Sequence, residues 1–513
     1  MSKNHLLPIY KFKNLQMKTK AIIVKSIFAL ACILSFASCK PETEIVIQKD
    51  TDTVIIKEEE PKPKAVTLLA DIPAGSTRTL SADTVYTLGA QIQVSGTITI
   101  APGTIIKGDK ISKSALIILP GGKINAVGTP NKPIVFTSAM GPGLRNPGDW
   151  GGIIIIGKAP INQTTAEVEG LTRKVSYGLD QIAAADRKAD DNSGSLQYVR
   201  IEFAGFPLQP DKEINGLTMC AVGSGTTIDH VQVSFCGDDS FEWFGGNVNC
   251  KYLIAFHGLD DEFDTDYGYS GNVQFALGLR NPRIADVSTS NGFESDNDAS
   301  GSDAAPKTTA VFSNVTLIGP WKTTADKNVN TQFGTGMHIR RNSSMSVFNS
   351  VVAGWNIGLV IDGTKSNANA TAGDLAIQNS CLIGSKLAAA TASNTGSGAI
   401  SKTKADTVVL DFFTKGTGNN VIKTTLTPKN SANSKDSASI DLCFYDATKA
   451  GSAAVPASNL PGANSPILTG ASFTHAKLQN AFFDKTPTFR GAFGTSDWAK
   501  ESWTNWDPQN TVY

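Results

Sequence analysis

The pattern of hydrophobic residues along this chain predicts many short β-strands. From Val66 onward, runs of β-branched residues alternate with Gly, Pro, Asn and Asp, which is typical of strands separated by turns. No long stretch repeats its apolar residues with a helical period. The run ITIAPGTII at residues 98–106 returns as LIILPGGKI at residues 116–124. Self-similarity at a period of ~20 residues predicts a solenoid, in which each turn of the chain stacks on the preceding one.

The middle of the chain can be divided into turns that each contribute two strands. The first strands are expected at residues 231–234, 252–255, 285–288, 315–318 and 350–353. The second strands begin at Phe241, Phe263, Phe293, Met337 and Leu359, at successive offsets of 22, 30, 44 and 22 residues. Asn314, Asn349 and Asn379 each stand five residues before a glycine, which predicts an asparagine ladder at one corner of the solenoid.

Acidic residues recur in these second strands and in the bends before them. Asp238-Asp239-Ser-Phe-Glu returns as Asp260-Asp261-Glu-Phe-Asp, 22 residues later. Because strand side chains alternate between faces, Phe241, Phe263, Phe293, Met337 and Leu359 are expected to form an inward column. Two outward columns follow from the same alignment: Glu242, Asp264, Glu294, His338 and Val360, and then Phe244, Asp266, Asp296, Arg340 and Asp362.

This succession of strands resembles that of right-handed parallel β-helix proteins, which include pectate lyases and many surface adhesins. It also resembles uncharacterised Gram-negative β-helix surface lipoproteins with a Trp-rich ending. The resemblance implies an all-β fold, with the parallel β-helix over residues 66–386 and a C-terminal region over residues 387–513 that completes and caps it. We expect Trp498, Trp503 and Trp506 to cap an open end of the solenoid; carbohydrate stacking is the alternative.

The N-terminal residues predict export. Lys18, Lys20 and Lys25 precede an apolar run, and Phe36-Ala-Ser-Cys39 ends it in small residues before a cysteine. This ending resembles the lipobox of bacterial lipoproteins, which implies a signal peptide over residues 17–38, acylation of Cys39 and an outer-membrane protein at the cell surface. An ordinary cleaved signal is the alternative. Residues 39–65 are polar and charged apart from two β-branched runs, so we expect a spacer between the membrane and the solenoid.

Composition narrows the classes of partner. The 513 residues carry 46 basic and 46 acidic side chains, so the formal net charge is zero and no nucleic-acid partner is indicated. The cysteines after Cys39 have no metal-binding spacing, and burial as small hydrophobic residues is expected.

Three interpretations of the acidic columns remain open. One is a solvated acidic face, screened by water. The second is one or more calcium sites, because dense carboxylate oxygens suit Ca²⁺. The candidate ligands are Asp238, Asp239, Glu242, Asp260, Asp261, Asp264, Asp266, Glu294 and Asp296. The third is a catalytic groove. There the resemblance to pectate lyases implies Arg340 as a base, while Asp264 and Glu294 would serve as the acid and base of a glycosidase. His338 is a further candidate base.

The sequence therefore predicts a lipid-anchored surface protein with a binding or adhesion role, which holds calcium in its acidic columns. The partner is expected to be a polysaccharide or another surface protein. A polysaccharide lyase or glycoside hydrolase acting through the same columns is the first alternative, and a structural envelope component is the second.

Overall fold

The structure is a computed structural model that describes residues 44–49, 52–57, 63–209, 212–321, 328–385, 407–415, 418–423, 460–461 and 465–513. The chain divides into two compact units after Lys62. In the first unit, the two β-branched runs of the expected spacer form an antiparallel pair of strands, Glu44–Lys49 and Asp52–Lys57. The predicted signal peptide and the predicted acylation site Cys39 lie outside the described residues. The second unit contains the solenoid.

Two parallel sheets build the solenoid, as the sequence predicted: the chain forms an all-β right-handed parallel β-helix. In the described residues, the nine-stranded sheet consists of Gln91–Val94, Ala115–Ile118, Ile153–Ile156, Leu217–Val222, Phe241–Gly246, Phe263–Asp266, Phe293–Ser295, Met337–Ile339 and Val360–Ile361. The seventeen-stranded sheet consists of Lys64–Leu68, Thr77–Leu80, Thr84–Leu88, Thr97–Ile100, Ile105–Gly108, Lys123–Val127, Ile134–Ser138, Gly194–Glu202, Thr227–Ser234, Asn249–Phe256, Asn272–Leu279, Val311–Ile318, Ser346–Phe348, Val351–Ala353, Ile377–Gln378, Cys381–Ile383 and Val421–Lys423.

The remaining elements are short. Two antiparallel pairs lie outside the main sheets, Ala166–Glu167 with Ser176–Tyr177 and Pro207–Gln209 with Lys212–Glu213. The described helices are Gly363–Ala372 and Thr407–Lys415, with 3₁₀ turns at Ala184–Asp186, Pro466–Leu468, Ala476–Leu478 and Trp498–Lys500. Within the described residues, none of these helices has both the length and the apolar character needed to cross a bilayer.

The predicted inward column forms the core between the sheets. Phe241 aligns with Phe263, Phe263 with Phe293 and Phe293 with Met337, and all four side chains are fully buried. Each buried phenylalanine contributes roughly 2–3 kcal/mol of hydrophobic stabilisation. One predicted strand was wrong: residues 285–288 lie in a loop, and the strand of that turn is Asn272–Leu279. Its apolar run NVQFALGL belongs to the seventeen-stranded sheet, where it pairs with Asn249–Phe256 and Val311–Ile318. Asp286 and Ser288, by contrast, form a hydrogen bond in the loop.

A corner with left-handed backbone runs along the seventeen-stranded sheet. At one position of each turn φ lies between 48° and 61°, first at Tyr198, His230, Tyr252 and Phe275, then at Asn314, Asn349, Asn379 and Asn419. Asparagine tolerates this conformation better than most residues. The three predicted asparagines do share this corner. Their described amide bonds go mainly to neighbouring side chains and to the C-terminal segment, as from Asn349 Nδ2 to Ser313 Oγ (3.2 Å) and the Ser472 carbonyl (3.1 Å).

Residues 465–513, the C-terminal segment, lie along the side of the solenoid, so the expectation that the tryptophans cap an open end was wrong. Three amide side chains of the large sheet each bond to both the N–H and the C=O of one residue in this segment: Gln232 with Asn505, Gln274 with Asp484, and Asn349 with Ser472. The tryptophans are buried against aromatic rings of the corner, such as Trp498 against Tyr252 at 5.2 Å. Those outward rings are an apolar stripe that would otherwise face water.

Candidate functional site

The nine-stranded sheet brings the predicted acidic column together in the expected register. Glu242 aligns with Asp264, Asp264 with Glu294, and Glu294 with His338. Adjacent strands are about 4.8 Å apart, so these carboxylates are close neighbours. The second column follows the same alignment, with Phe244 opposite Asp266. The register of the first column was therefore predicted correctly, and so was the pairing of Phe244 with Asp266 in the second.

The bend residues Asp239 and Asp261 have a role that the sequence analysis missed. Asp239 Oδ1 accepts a hydrogen bond from the backbone N–H of Asp261 (2.7 Å), and Asp261 Oδ1 accepts one from the N–H of Asn291. Asn291 Oδ1 continues the series by accepting from the N–H of Thr335 (2.9 Å). Each of these side chains satisfies a buried backbone donor on the next turn. Their shared position, two residues before the core residue of each second strand, was the available signal.

Three groups of carboxylates place oxygen atoms within 4.8 Å of one another. They are Asp238 with Asp239 and Asp260, Asp239 with Glu242 and Asp264, and Asp261 with Asp264 and Glu294. Asp264 belongs to two of the groups, and so does Asp239, so the groups form one continuous row across three turns. Asp266 and Asp296 lie in the neighbouring column and belong to none of the three.

Burial and mutual repulsion disfavour the charged form of most of these acids. Asp239 and Asp261 are only 7% and 3% exposed, and Asp264 is half-buried. Burial, followed by the neighbouring carboxylates, raises the pKa values of the acids well above their ordinary range at Asp239, Glu242, Asp261, Asp264 and Asp266. Burial also raises the pKa of Asp260 to about 7. This environment does not fit a fully solvated acidic face.

Cationic side chains do not balance the centre of this row, Glu242 and Asp264, within the described residues. Among the described residues, no Lys, Arg or His forms an ion pair with Glu242 or Asp264. One oxygen of Asp264, Oδ1, is buried without a hydrogen-bond partner in the described structure, and so is Asp260 Oδ1. Two amides missed from the sequence approach the row, since Asn215 Nδ2 donates to Glu242 and Asn291 Nδ2 donates to Glu294 (3.1 Å). The centre of the row is therefore rich in oxygen acceptors and has no described ion pair to a cationic side chain.

The next turns hold the opposite kind of environment. Arg340 forms ion pairs with Glu294 and with Asp296 (2.8 Å), and Arg341 also reaches Asp296 (2.7 Å). His338 lies between Glu294 (3.6 Å) and Asp362 (3.7 Å). Asp362 thus faces His338 and not Arg340.

These cations change the protonation equilibria of their partners. Burial opposes ionisation of Glu294, but the Arg340 guanidinium and His338 lower the pKa of Glu294 to about 2. Burial lowers the pKa of His338, yet the neighbouring carboxylates of Asp362 and Glu294 outweigh it, so the net shift is upward. Glu294 is therefore held as a carboxylate. Its neighbour Asp264 favours the protonated form in the absence of a bound cation.

The fold and the sequence agree on a family. Residues 73–428, more than half of the chain, match the family model described as a pectate-lyase-like beta helix domain. The comparisons with curated proteins and with solved structures find no match. The parallel sheets and the extent of the matched region lead to one conclusion: this chain belongs to the pectate-lyase-like beta helix domain family.

Proposed function

We propose that this protein is a calcium-holding β-helix with a binding or adhesion role at the cell surface. The observation that carries the proposal is the position of Asp264. Its carboxylate is shared by two groups of acids, its Oδ1 is buried without a described hydrogen-bond partner, and no described cationic side chain pairs with it. A bound cation would remove both the repulsion and the unsatisfied oxygen.

Calcium suits this row better than the other common divalent ions. Ca²⁺ accepts six to eight oxygen ligands in irregular arrangements, whereas Mg²⁺ requires a near-ideal octahedron and Zn²⁺ favours nitrogen and sulfur. Glu242, Asp264 and Glu294 offer carboxylates from strand positions fixed by parallel pairing. Asp239 and Asp261 add carboxylates from bends that are held by their hydrogen bonds to the next turn. Asp238 and Asp260 would bind at the bend, while Asp266 and Asp296 would add negative charge beside it.

Calorimetric calcium titration of residues 40–513 tests the proposal. We expect saturable binding with a dissociation constant of about 10⁻⁵–10⁻³ M, weakened at least ~10-fold by Asp264→Asn. The matched control is Asp186→Asn, which removes one exposed carboxylate away from the row and should bind as the unmodified protein does. Absence of binding at millimolar calcium, or equal weakening by both substitutions, would contradict the proposal.

The surface location rests on Cys39 and the residues before it. We infer that acylation of Cys39 anchors the protein in the outer membrane, where the solenoid would meet a polysaccharide or another surface protein. Metabolic labelling with a fatty acid should mark the unmodified protein and not Cys39→Ser. Protease digestion of intact cells should remove the solenoid if it faces outward. Unlabelled protein recovered in the culture medium would instead indicate an ordinary cleaved signal.

A second candidate function, polysaccharide cleavage, is favoured by one specific observation. Asp264 and Glu294 are adjacent, and their pKa values are shifted in opposite directions. Such a pair is suited to acid–base catalysis, with Arg340 or His338 close enough to assist. Product analysis with acidic and neutral glycans, for the unmodified protein and Arg340→Ala, distinguishes the two. Glycan cleavage that disappears in Arg340→Ala would replace the binding role with an enzymatic one, and a protein that binds neither calcium nor glycan would be a structural envelope component.

A further inference from the structure

A second concave surface lies on the seventeen-stranded sheet, away from the acidic row. It is a cleft of about 630 Å³ between two stretches of the C-terminal segment, residues 484–489 and 492–501. Its floor is the left-handed corner, where His230, Tyr252 and Phe275 stack at centroid distances of 4.3 and 5.0 Å. A volume of this size is typical of small-molecule sites.

The chemistry of the lining is acidic and hydroxylic. Asp484 and Glu501 contribute carboxylates, and hydroxyl groups come from Tyr252, Thr486, Thr488, Thr495 and Ser496. Among the described residues that line the cleft, none is lysine or arginine. Burial first, and then the carboxylates of Asp229, Asp484 and Glu501, raise the pKa of the Tyr252 phenol. The cleft therefore has a negative potential at its aromatic floor.

One of the two carboxylates is held in place before any ligand arrives. The backbone of Asp484 is fixed by both hydrogen bonds to Gln274 (2.7 and 2.8 Å). Its Oδ1 accepts from the backbone N–H (2.9 Å) and the hydroxyl (2.7 Å) of Thr486. Glu501 is exposed at the rim. A fixed acid and an exposed acid above an apolar floor can hold a positively charged group, and the fixed acid reduces the ordering cost of binding.

We propose that this cleft binds an amine-bearing sugar residue. The ammonium group would pair with Asp484 and Glu501, the ring hydroxyls would bond to the threonine and serine hydroxyls, and the apolar edge of the ring would contact Tyr252 and Phe275. Acidic sugars are disfavoured because they would meet two carboxylates, and the described lining contains neither lysine nor arginine. This site is independent of the calcium site, since it is built on the other sheet and on the C-terminal segment.

Calorimetric or NMR titration of residues 40–513 with glucosamine, glucose and galacturonate tests the proposal. Glucosamine should bind in the millimolar range, glucose at least ~5-fold more weakly, and galacturonate not measurably. Glu501→Gln should weaken glucosamine binding about fivefold and leave glucose binding unchanged, whereas Asp186→Asn should alter neither. Equal binding of the three sugars, no binding of glucosamine, or an unchanged Glu501→Gln variant would overturn it. Calcium titration of the same Glu501→Gln protein should be unaffected, which separates this test from that of the acidic row.

Discussion

Replacing Asp264 by Asn should stabilise the calcium-free protein and reduce the stabilisation that calcium provides. In calcium-free buffer at neutral pH, the variant is expected to be more stable than the unmodified protein, because it loses a carboxylate that is repelled by its neighbours. Calcium is expected to stabilise the unmodified protein more than the variant, because the unmodified protein keeps the shared ligand. Ordinary substitutions of a buried polar residue lower stability under both conditions.

The magnitude follows from the spacing of the acids. The carboxylate oxygens in each group lie within 4.8 Å of one another. At an effective dielectric constant of about 20, two unit charges at this separation repel by about 3.5 kcal/mol. Protonation of one carboxyl relieves part of that repulsion, so we expect Asp264→Asn to add about 1–3 kcal/mol to the calcium-free free energy of unfolding. Calcium at about 100 times the dissociation constant of the unmodified protein would add about 2.7 kcal/mol to its free energy of unfolding. The same concentration would add about 1.4 kcal/mol to a variant that binds about 10-fold more weakly.

Urea unfolding followed by intrinsic fluorescence measures both differences, in chelator and in calcium. Asp186→Asn is the control, since its carboxylate is exposed and should leave the free energy of unfolding within about 0.5 kcal/mol under either condition. If Asp264→Asn lowers the calcium-free stability by more than about 1 kcal/mol, the carboxylate makes a favourable contact and the repulsion argument is wrong. If calcium stabilises both proteins equally, Asp264 is not a ligand.

Three further predictions concern pH, the cationic turns and the C-terminal segment. In chelator, thermal unfolding temperature should rise as pH falls from 8 to 5. Asp260 has a folded pKa of about 7 against an unfolded value near 3.8, so its stabilising contribution is complete below about pH 4 and lost as pH rises through 7. Glu294, with a folded pKa of about 2, acts in the opposite direction, with its contribution lost as pH falls below about 4.5. Arg340→Ala should cost about 3–5 kcal/mol in urea unfolding, because Glu294 and Asp296 lose their ion pairs; an effect below about 1 kcal/mol would refute this. Trp503→Ala should cost about 3–5 kcal/mol, because the ring is fully buried; unchanged stability and protease resistance would show that the C-terminal segment is dispensable.

The sequence was informative wherever a repeated pattern carried the information. Alternation with period two fixes which side chains face inward, and the recurrence of Phe241 at Phe263 and Phe293 fixes the register. The acidic neighbours Glu242 and Asp264 then follow by counting. The proximity of these groups was therefore predictable without any knowledge of the structure.

The remaining features depend on partners that no repeat identifies. The side chain of Asp239 accepts its hydrogen bond from a residue of the next turn, which no repeat identifies. The sequence placed Arg340 beside Asp296 and Asp362, and its ion pair with Glu294 was not predicted. The contacts of the C-terminal segment join residues that are even farther apart in the sequence: Gln232 and Asn505 are separated by 273 positions. A tryptophan-rich stretch has the same composition whether it covers an end or a side, so composition alone gave the wrong location.

The path of the C-terminal segment has a consequence for how the solenoid loses its structure. A stack in which each turn touches only its neighbours opens from its ends, one turn at a time. Here Arg145, on an early turn, donates to the Pro508 carbonyl, and Arg490 donates to the Asn419 carbonyl (2.9 Å) near the last described strand. Residues 490–508 of the C-terminal segment thus connect an early turn to a late one. The turns between Arg145 and Asn419 cannot separate without breaking contacts to this segment, so this part of the solenoid should unfold in one cooperative step and not in a sequence of partial openings.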